Sequence, residues 1–288
     1  MTHAIRRLVL ALLLVLGGGY VAITALVWLK QDGMVFAGAG FPDRGVPLLP
    51  TPVVVRWLGD GGERTRIATV TPRTAPIAVA VYFGGNGEDL YAAAFAAGEL
   101  AEYGLETIAH EHPGYGASPG TPSVDSLLAA AERTADAAAL RARELGVPLV
   151  VVGSSLGTFC AVHVAARGGA AAGAPAANAA LAVVDRLLLR APPTTLAAAA
   201  KARFGLLPVD LLLRHRFDNA TPAPRVRCPV LVLHGDRDGI VPQALGRELA
   251  ALLPHGRFVG VPGAGHNNLP LSVQGQVAGE LRAFFSAK

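Results

Sequence analysis

The sequence has little cysteine, few aromatic residues and little charge. Two of its 288 residues are cysteines, Cys160 and Cys228, too few for a disulfide framework. We expect two buried thiols, although a single bridge between them stays open. Charged residues make up 16% of the chain, with a net charge of +4 and no basic run or basic-aromatic stripe. These features argue against a nucleic-acid partner.

Hydrophobic residues make up 52% of the chain, and one long stretch of them lies near the amino end. Leu8 to Leu29 carries no charge and follows Arg6 and Arg7. About 22 helical residues span the roughly 30 Å hydrocarbon core of a bilayer, whereas a cleaved signal has an apolar stretch of about 7–15 residues. We therefore predict that residues 1–30 form an uncleaved signal anchor. Secretion after cleavage is the alternative.

The positive-inside tendency bears on the orientation of this segment. The two arginines precede the apolar stretch, while Lys30 alone follows it at once. Because basic flanks tend to stay cytoplasmic, we expect the rest of the chain to lie outside the cytoplasm.

The sequence after the anchor predicts one domain, preceded by an approach segment. Residues 31–52 are rich in Pro and Gly, and residues 53–288 alternate strand and helix patterns. This alternation predicts an α/β fold with a mostly parallel, doubly wound sheet, after an antiparallel hairpin. Residues 194–227 form either a crossover helix or a short cap. The hairpin is expected at Val53–Leu58 and Arg64–Val70, and the later elements at Ile77–Phe83, Glu88–Tyr103, Leu105–Ala109, Ser123–Leu145, Val183–Leu189 and Leu196–Phe204, with a helix end and flexible loop over Gly168–Ala182.

The most informative motif is Gly153-Ser154-Ser155-Leu156-Gly157. It follows an apolar strand pattern and precedes a helical one, which is the context of a nucleophile elbow. The tight turn needs glycines on either side of the serine so that strand and helix can pass closely. The central residue, Ser155, is the candidate nucleophile.

A serine nucleophile needs a base and an acid that orients the base. Asp236 and Asp238 follow the apolar run at residues 229–233, and His266 lies on a Gly-rich loop before the last helix. Both loops follow predicted strands, so they should meet at the carboxyl edge of the sheet. His234, at the strand end, is expected to pack beneath the acid loop.

The chain order of these residues resembles that of the α/β-hydrolase superfamily: the serine Ser155 comes first, then the acid loop Asp236–Asp238, then His266. The segment HGDRDGIVP is similar to the family's acid loop, in which the second acidic residue is the triad member, and this resemblance implies Asp238. The loop Gly84-Gly85-Asn86-Gly87 resembles the family's oxyanion loop, with glycine where histidine is usual. The resemblance then implies that the backbone N–H groups of Asn86 and Leu156 stabilise the oxyanion.

His110 and His112 flank Glu111, and an H-x-H pair on a strand can bind zinc. No further His/Cys cluster joins them in the sequence, so we expect no metal ion, and the resemblance implies no organic cofactor.

The signal anchor and the loop motifs together resemble membrane-anchored α/β-hydrolase-domain proteins, which include depalmitoylases. The resemblance implies a serine hydrolase that acts on a small-molecule or acylated substrate, a carboxylic ester or thioester. Two alternatives stay open: a serine peptidase of the prolyl-oligopeptidase type, and a non-catalytic membrane-tethered binding module. Acyl chain length and oligomeric state are not predicted.

Overall fold

The computed structural model describes residues 3–171 and 182–286. Within them the strands form a single eight-stranded sheet in the order β1-β2-β4-β3-β5-β6-β7-β8. The predicted flexible loop within residues 168–182 falls largely outside the described residues. The strands are β1 Val53–Leu58, β2 Thr65–Val70, β3 Ala78–Phe83, β4 Leu105–His110, β5 Leu149–Ser154, β6 Arg186–Arg190, β7 Val230–Gly235 and β8 Gly256–Val261.

The sheet confirms the predicted fold class. β1 and β2 pair as an antiparallel hairpin, with Val53 opposite Val70 and Leu58 opposite Thr65. β2 also pairs antiparallel with β4, and every other neighbouring pair is parallel. The carboxyl ends of the parallel strands therefore meet at one edge.

Helices cover both faces of the sheet. All six residues of β3 are buried, and alternate ones enter two cores. Val81 and Phe83 belong to one core, together with residues of the helices Val124–Leu145, Gly157–Ala171 and Gln243–Leu252. Ala80 and Tyr82 belong to the other, together with residues of Leu90–Ala101 and Ala278–Ser286. The helices are α1 His3–Val35, α2 Leu90–Ala101, α3 Val124–Leu145, α4 Gly157–Ala171, α5 Leu196–Arg203, α6 Val209–Leu212, α7 Gln243–Leu252 and α8 Ala278–Ser286.

The sixth strand begins later than the sequence pattern predicts, at Arg186 rather than Val183. Asp185 is used as a turn residue instead: its carboxylate accepts the N–H of Leu149 at 2.7 Å, and its own N–H donates to the carbonyl of that residue. Val183 is exposed. The carboxylate of Asp185 thus binds the first residue of β5, and β6 begins at the next residue, Arg186.

The long amino-terminal helix α1 is apolar and long enough to cross a membrane. It continues to Val35, past the predicted end of the anchor at residue 30. Within α1, all of which the structure describes, only Gln31 is buried. The extension is explained by contacts of this end of the helix with residues 206–215, described below.

Candidate active site

The motif around Ser155 forms a strained turn between β5 and α4. Ser155 has a φ of 49°, in the left-handed region that non-glycine residues rarely adopt. A Cβ on Gly157 would lie 2.0 Å from the carbonyl oxygen of Phe83, and one on Gly153 would lie 2.8 Å from the Cα of Thr158. The two glycines are therefore required because backbone passes directly against them.

The structure brings Ser155, His266 and Asp238 together at the carboxyl edge of the sheet. The Nε2 of His266 lies 2.8 Å from the Oγ of Ser155, and its Nδ1 lies 2.7 Å from the Oδ2 of Asp238. The side chain of Asp238 is fully buried and that of His266 nearly so. This geometry can move a proton from the serine hydroxyl to the imidazole while the carboxylate holds the ring.

The other carboxylate of the acid loop, Asp236, lies outside this arrangement. It accepts the N–H of Gly263 at 2.7 Å and so ties the loop after β7 to the loop after β8. The structure thus places Asp238, not Asp236, against the imidazole.

The carboxylate of Asp238 is fixed by more than one histidine. Its Oδ1 accepts the N–H groups of Ile240 and Val241, and its Oδ2 lies 3.2 Å from the Nε2 of His234. Burial acts to raise the pKa of Asp238, but the hydrogen bonds from His234, His266 and Val241 outweigh it and hold the pKa well below its usual range. The carboxylate is therefore ionised at neutral pH.

His234 is completely buried beneath the acid loop, as predicted, but its contact with Asp238 was missed. Its Nε2 also lies 2.9 Å from the carbonyl of Val241. With an acceptor on each side, Nε2 carries the hydrogen. The i, i+4 spacing of His234 and Asp238 around a tight loop was the available signal in the sequence.

The loop of Gly84 to Gly87 lies against the serine. A Cβ on Gly85 would be 3.5 Å from the Cβ of Ser155, and Asn86 borders the same space as the serine. The carbonyl of Asn86 accepts the N–H of Gly38 at 2.7 Å and the hydroxyl of Tyr115 at 3.1 Å. These bonds fix the loop that was predicted to supply one oxyanion donor.

The other predicted donor, Leu156, follows the serine at the start of α4 and is buried. Since its backbone directly follows the strained residue, its position is set by the elbow itself. The structure therefore places both predicted donors next to the nucleophile.

The His-Glu-His segment at the end of β4 has other partners. His110 contacts the hydroxyl of Thr134 through Nδ1 at 2.9 Å, and His112 contacts the carbonyl of Gly84 through Nε2 at 2.9 Å. Burial lowers the pKa of both histidines, so both rings are neutral. Across residues 3–171 and 182–286, no group of three metal-ligating side chains is close enough to hold a metal ion.

Between these histidines, Glu111 belongs to a buried ion network. Its carboxylate accepts two hydrogen bonds from the guanidinium of Arg66 and two from Ser118. Arg66 also pairs with Asp43 of the approach segment. The network joins that segment to β2 and to the loop after β4.

An apolar cavity of about 270 Å³ opens on one side of Ser155. Its inner end is formed by Ser155, Leu156 and Phe159, and its outer walls by α1, α5 and α6. The wall from residues 194–227 agrees with the cap interpretation rather than with a simple crossover helix. The contribution of α1 was not predicted, because hydropathy alone does not show which face of a membrane helix contacts protein.

A larger and more polar cavity, about 720 Å³, opens on the other side of Ser155 and His266. It contains a chain of hydrogen bonds in which Arg190 donates to the hydroxyl of Tyr82 and Tyr82 donates to Glu88. Burial raises the pKa of Tyr82 far above its ordinary value, so the phenol stays protonated. The serine thus lies between an apolar and a polar compartment.

Both cysteines are free and buried, and burial raises the pKa of each thiol to about 12. Cys160 lies on α4 and Cys228 just before β7, as predicted. The bridge left open by the sequence is not formed.

Comparison with known proteins gives a consistent set of relatives. The chain is 32% identical over 194 residues to the uncharacterized protein Rv2307c of Mycobacterium tuberculosis, covering 67% of this chain and 64% of that protein. It is 29% identical over 230 residues to the human alpha/beta hydrolase domain-containing protein 17B, covering 77% of this chain and 71% of that protein. It is 26% identical over 170 residues to the lysophosphatidylserine lipase ABHD12 of Macaca fascicularis, covering 53% and 39%.

The chain therefore spans less than two thirds of the length of Rv2307c and less than half that of the lipase. Among solved structures, an esterase of Pyrococcus furiosus superposes with a TM-score of 0.61 at 15% identity, covering 85% of this chain and 98% of that one. This likeness shows the fold. The sequence model of the alpha/beta hydrolase family matches residues 82–280, which contain the serine, aspartate and histidine described above, and the chain belongs to this family.

Proposed function

We propose that the protein is a serine hydrolase that cleaves a carboxylic ester or thioester through an acyl-enzyme on Ser155. Membership in the family supports hydrolase activity. The observation that carries the finer proposal is the relay from the Oγ of Ser155 through the imidazole of His266 to the carboxylate of Asp238, with contacts of 2.8 and 2.7 Å.

In the first step the Oγ of Ser155 attacks the substrate carbonyl carbon and its proton passes to the Nε2 of His266. The carbonyl oxygen takes up the displaced electron pair and becomes an oxyanion. The ionised Asp238 stabilises the imidazolium through Nδ1–H without taking its proton. When the oxyanion collapses, the bond to the leaving oxygen or sulfur breaks, and the imidazolium returns the proton to that atom.

Water then attacks the acyl-enzyme with the same imidazole as base, releases the carboxylic acid and restores Ser155. The proposed oxyanion donors are the N–H groups of Leu156 and Asn86. A preorganised donor of this kind contributes about 3 kcal/mol to lowering the barrier. The hydrogen bonds that fix the Asn86 loop support this preorganisation.

The two cavities suggest how an ester would lie. The apolar cavity beside Ser155 suits the acyl chain, and the polar one beside His266 suits the alcohol or thiol. The leaving group then departs on the side where the imidazole can protonate it.

We also propose the domain arrangement and topology: an uncleaved anchor, an approach segment at residues 31–52 and a catalytic domain at residues 53–288, with the catalytic domain outside the cytoplasm. The buried Gln31 supports retention of the anchor, because the helix that carries it begins upstream, before the apolar stretch. The topology rests on Arg6 and Arg7.

Fluorophosphonate labelling of the full chain in membrane and soluble fractions tests catalysis and anchoring together. We expect labelling in the membrane fraction, lost in Ser155→Ala. A folded wild-type protein that does not label would favour the binding module. A comparison of p-nitrophenyl esters with aminoacyl anilides then tests substrate class, and cleavage of the anilides alone would favour the peptidase.

A further inference from the structure

The apolar cavity has an unusual wall, because part of it comes from the candidate membrane helix. We infer that the acyl chain of an ester dissolved in the bilayer enters this cavity sideways, from the lipid beside the wall that α1 and the cap formed by residues 194–227 build together. The inference rests on the proposed function and extends it, since it makes α1 a determinant of substrate specificity as well as an anchor.

The residues of α1 that border the cavity form one stripe. They are Val27, Trp28, Gln31, Met34 and Val35. Their spacing of three and four residues places them on a single face of the helix. Four of the five are apolar, and the amide of the fifth is turned to the cap. This face thus presents a hydrophobic surface that leads towards the serine.

Specific hydrogen bonds hold this stripe against the cap. The Nε2 of Gln31 donates to the carbonyl of Leu212 at 3.0 Å, and its Oε1 accepts the N–H of Arg214 at 2.8 Å. Asp32 accepts from the guanidinium of Arg214 at 2.9 Å and lies 2.7 Å from the Nε2 of His215. Since Gln31 is 5% exposed and satisfied on both atoms, the helix and the cap form one unit.

The contact between α1 and the cap extends into the apolar part of the helix. The hydroxyl of Tyr20 donates to the carbonyl of Leu206 at 2.9 Å. Tyr20 lies nine residues before Leu29, about 14 Å along the helix from the end of the charge-free stretch. With α1 in a bilayer, this corner of the cap lies below the membrane surface.

The exposed side chains of the cap fit that position. Leu206 is 91% exposed and Leu211 is 85% exposed, and both lie on the segment that contacts α1. Large apolar side chains this exposed, and continuous with a membrane helix, indicate insertion into lipid. The bilayer is therefore the occupant inferred for this corner, which lies next to Leu207 and Leu212 in the wall of the cavity.

The size of the cavity fixes how much of a chain it holds. A cavity of about 150 Å³ takes up benzene, which has six carbons. At the same density, about 270 Å³ accommodates roughly ten carbons. With lateral entry, carbons beyond the tenth would stay in the bilayer.

A chain-length series on the full protein in phosphatidylcholine vesicles tests the inference. We expect kcat/KM to be at least about 100-fold higher for p-nitrophenyl decanoate than for the butyrate, since each buried methylene contributes up to about fourfold. Val27→Trp fills the cavity from α1 and should lower this decanoate-to-butyrate ratio at least tenfold. Ala200→Phe fills it from the cap and should do the same. The matched control Leu16→Trp, on the exposed apolar part of α1, should keep the ratio within twofold.

Lateral entry has a separate test. Leu206→Asp combined with Leu211→Asp should lower hydrolysis of vesicle-embedded decanoate about tenfold, whereas Leu140→Asp, an exposed leucine on α3, should not. Fluorophosphonate labelling of each variant reports whether Ser155 is active. An unchanged chain-length ratio in labelled Val27→Trp and Ala200→Phe would refute the inference and leave the proposed function standing. Wild-type protein that does not label would overturn both.

Discussion

The replacement Gly157→Ala gives a sharp test of the elbow geometry. A Cβ at this position would lie 2.0 Å from the carbonyl oxygen of Phe83 and 2.6 Å from that of Gly84, where ordinary contacts are 3.4 Å or more. Phe83 ends the central strand β3, which is paired on one side with β4 and on the other with β5. The backbone would have to move by more than about 1 Å against two strands, which a close-packed interior resists.

We expect Gly157→Ala to lower the free energy of unfolding by about 3 kcal/mol or more, at the upper end of overpacking effects. For a domain of this size that is a loss of about 6–12 °C in Tm. The same shift would displace Ser155, and a displacement of about 1 Å costs on the order of 100-fold in rate. The matched control is Gly279→Ala in α8, where a Cβ meets nothing within 4 Å. It should raise stability by up to about 1 kcal/mol, because alanine favours helix over glycine.

Thermal unfolding of the full chain in detergent micelles, followed by circular dichroism, measures both variants. Ester hydrolysis and fluorophosphonate labelling measure the effect on the serine. The two substitutions have the same chemistry and both lie in helices, so only their surroundings differ. A Gly157→Ala protein with wild-type Tm and activity would show that the backbone does not pass where the structure places it.

Three further predictions concern charge and thiol chemistry. Asp238→Asn should lower kcat by about 10⁴-fold, because the amide can favour the wrong imidazole tautomer. It should also lower the Tm, because the hydrogen bonds that hold the pKa of Asp238 low favour the ionised carboxylate in the folded protein. Kinetics beside circular dichroism would detect both changes, and a loss of kcat below tenfold would contradict the assigned role. The hydrogen bond from Arg66 lowers the pKa of Asp43 to about 2, below the unfolded value of about 3.9. Its stabilising effect is thus complete above the unfolded value and lost as pH falls through about 2. The Tm difference between wild type and Asp43→Asn should be present at pH 7 and should shrink from pH 4 to pH 2. This difference should be small, because the carboxylate is 41% exposed. A Tm difference that grows on acidification would refute the pairing of Asp43 with Arg66. The raised pKa of Cys160 and Cys228 predicts that neither thiol reacts with iodoacetamide at pH 8 until the protein is unfolded, as mass spectrometry would show, and fast native labelling would contradict their burial.

The arrangement of charge around the candidate nucleophile separates two environments. The imidazole and carboxylate are bonded to each other and to backbone N–H groups, while the chain from Arg190 through Tyr82 to Glu88 lies in the polar cavity opposite. The apolar cavity is bounded instead by α1 and the cap. This separation is the physical basis for assigning acyl chain and leaving group to opposite sides of the serine.

The sequence alone determined the features that depend on local pattern. Strand and helix periodicity predicted the hairpin and most later elements to within a few residues, because apolar spacing records which faces are buried. The glycines around Ser155 predicted the tight turn, since only a residue without a side chain fits there. The loop positions of Asp238 and His266 followed from the ends of predicted strands.

Only the tertiary structure decided which distant groups meet. Local pattern did not separate Asp236 from Asp238, and a family resemblance was needed until the coordinates placed Asp238 against the imidazole and His234 beneath it. Hydropathy showed that α1 is apolar. It did not show that one stripe of α1 forms a wall of the cavity beside Ser155, a residue 120 positions after the end of the helix. The reason is physical: periodicity reports whether a face is buried, whereas the partner that buries it depends on how the whole chain packs.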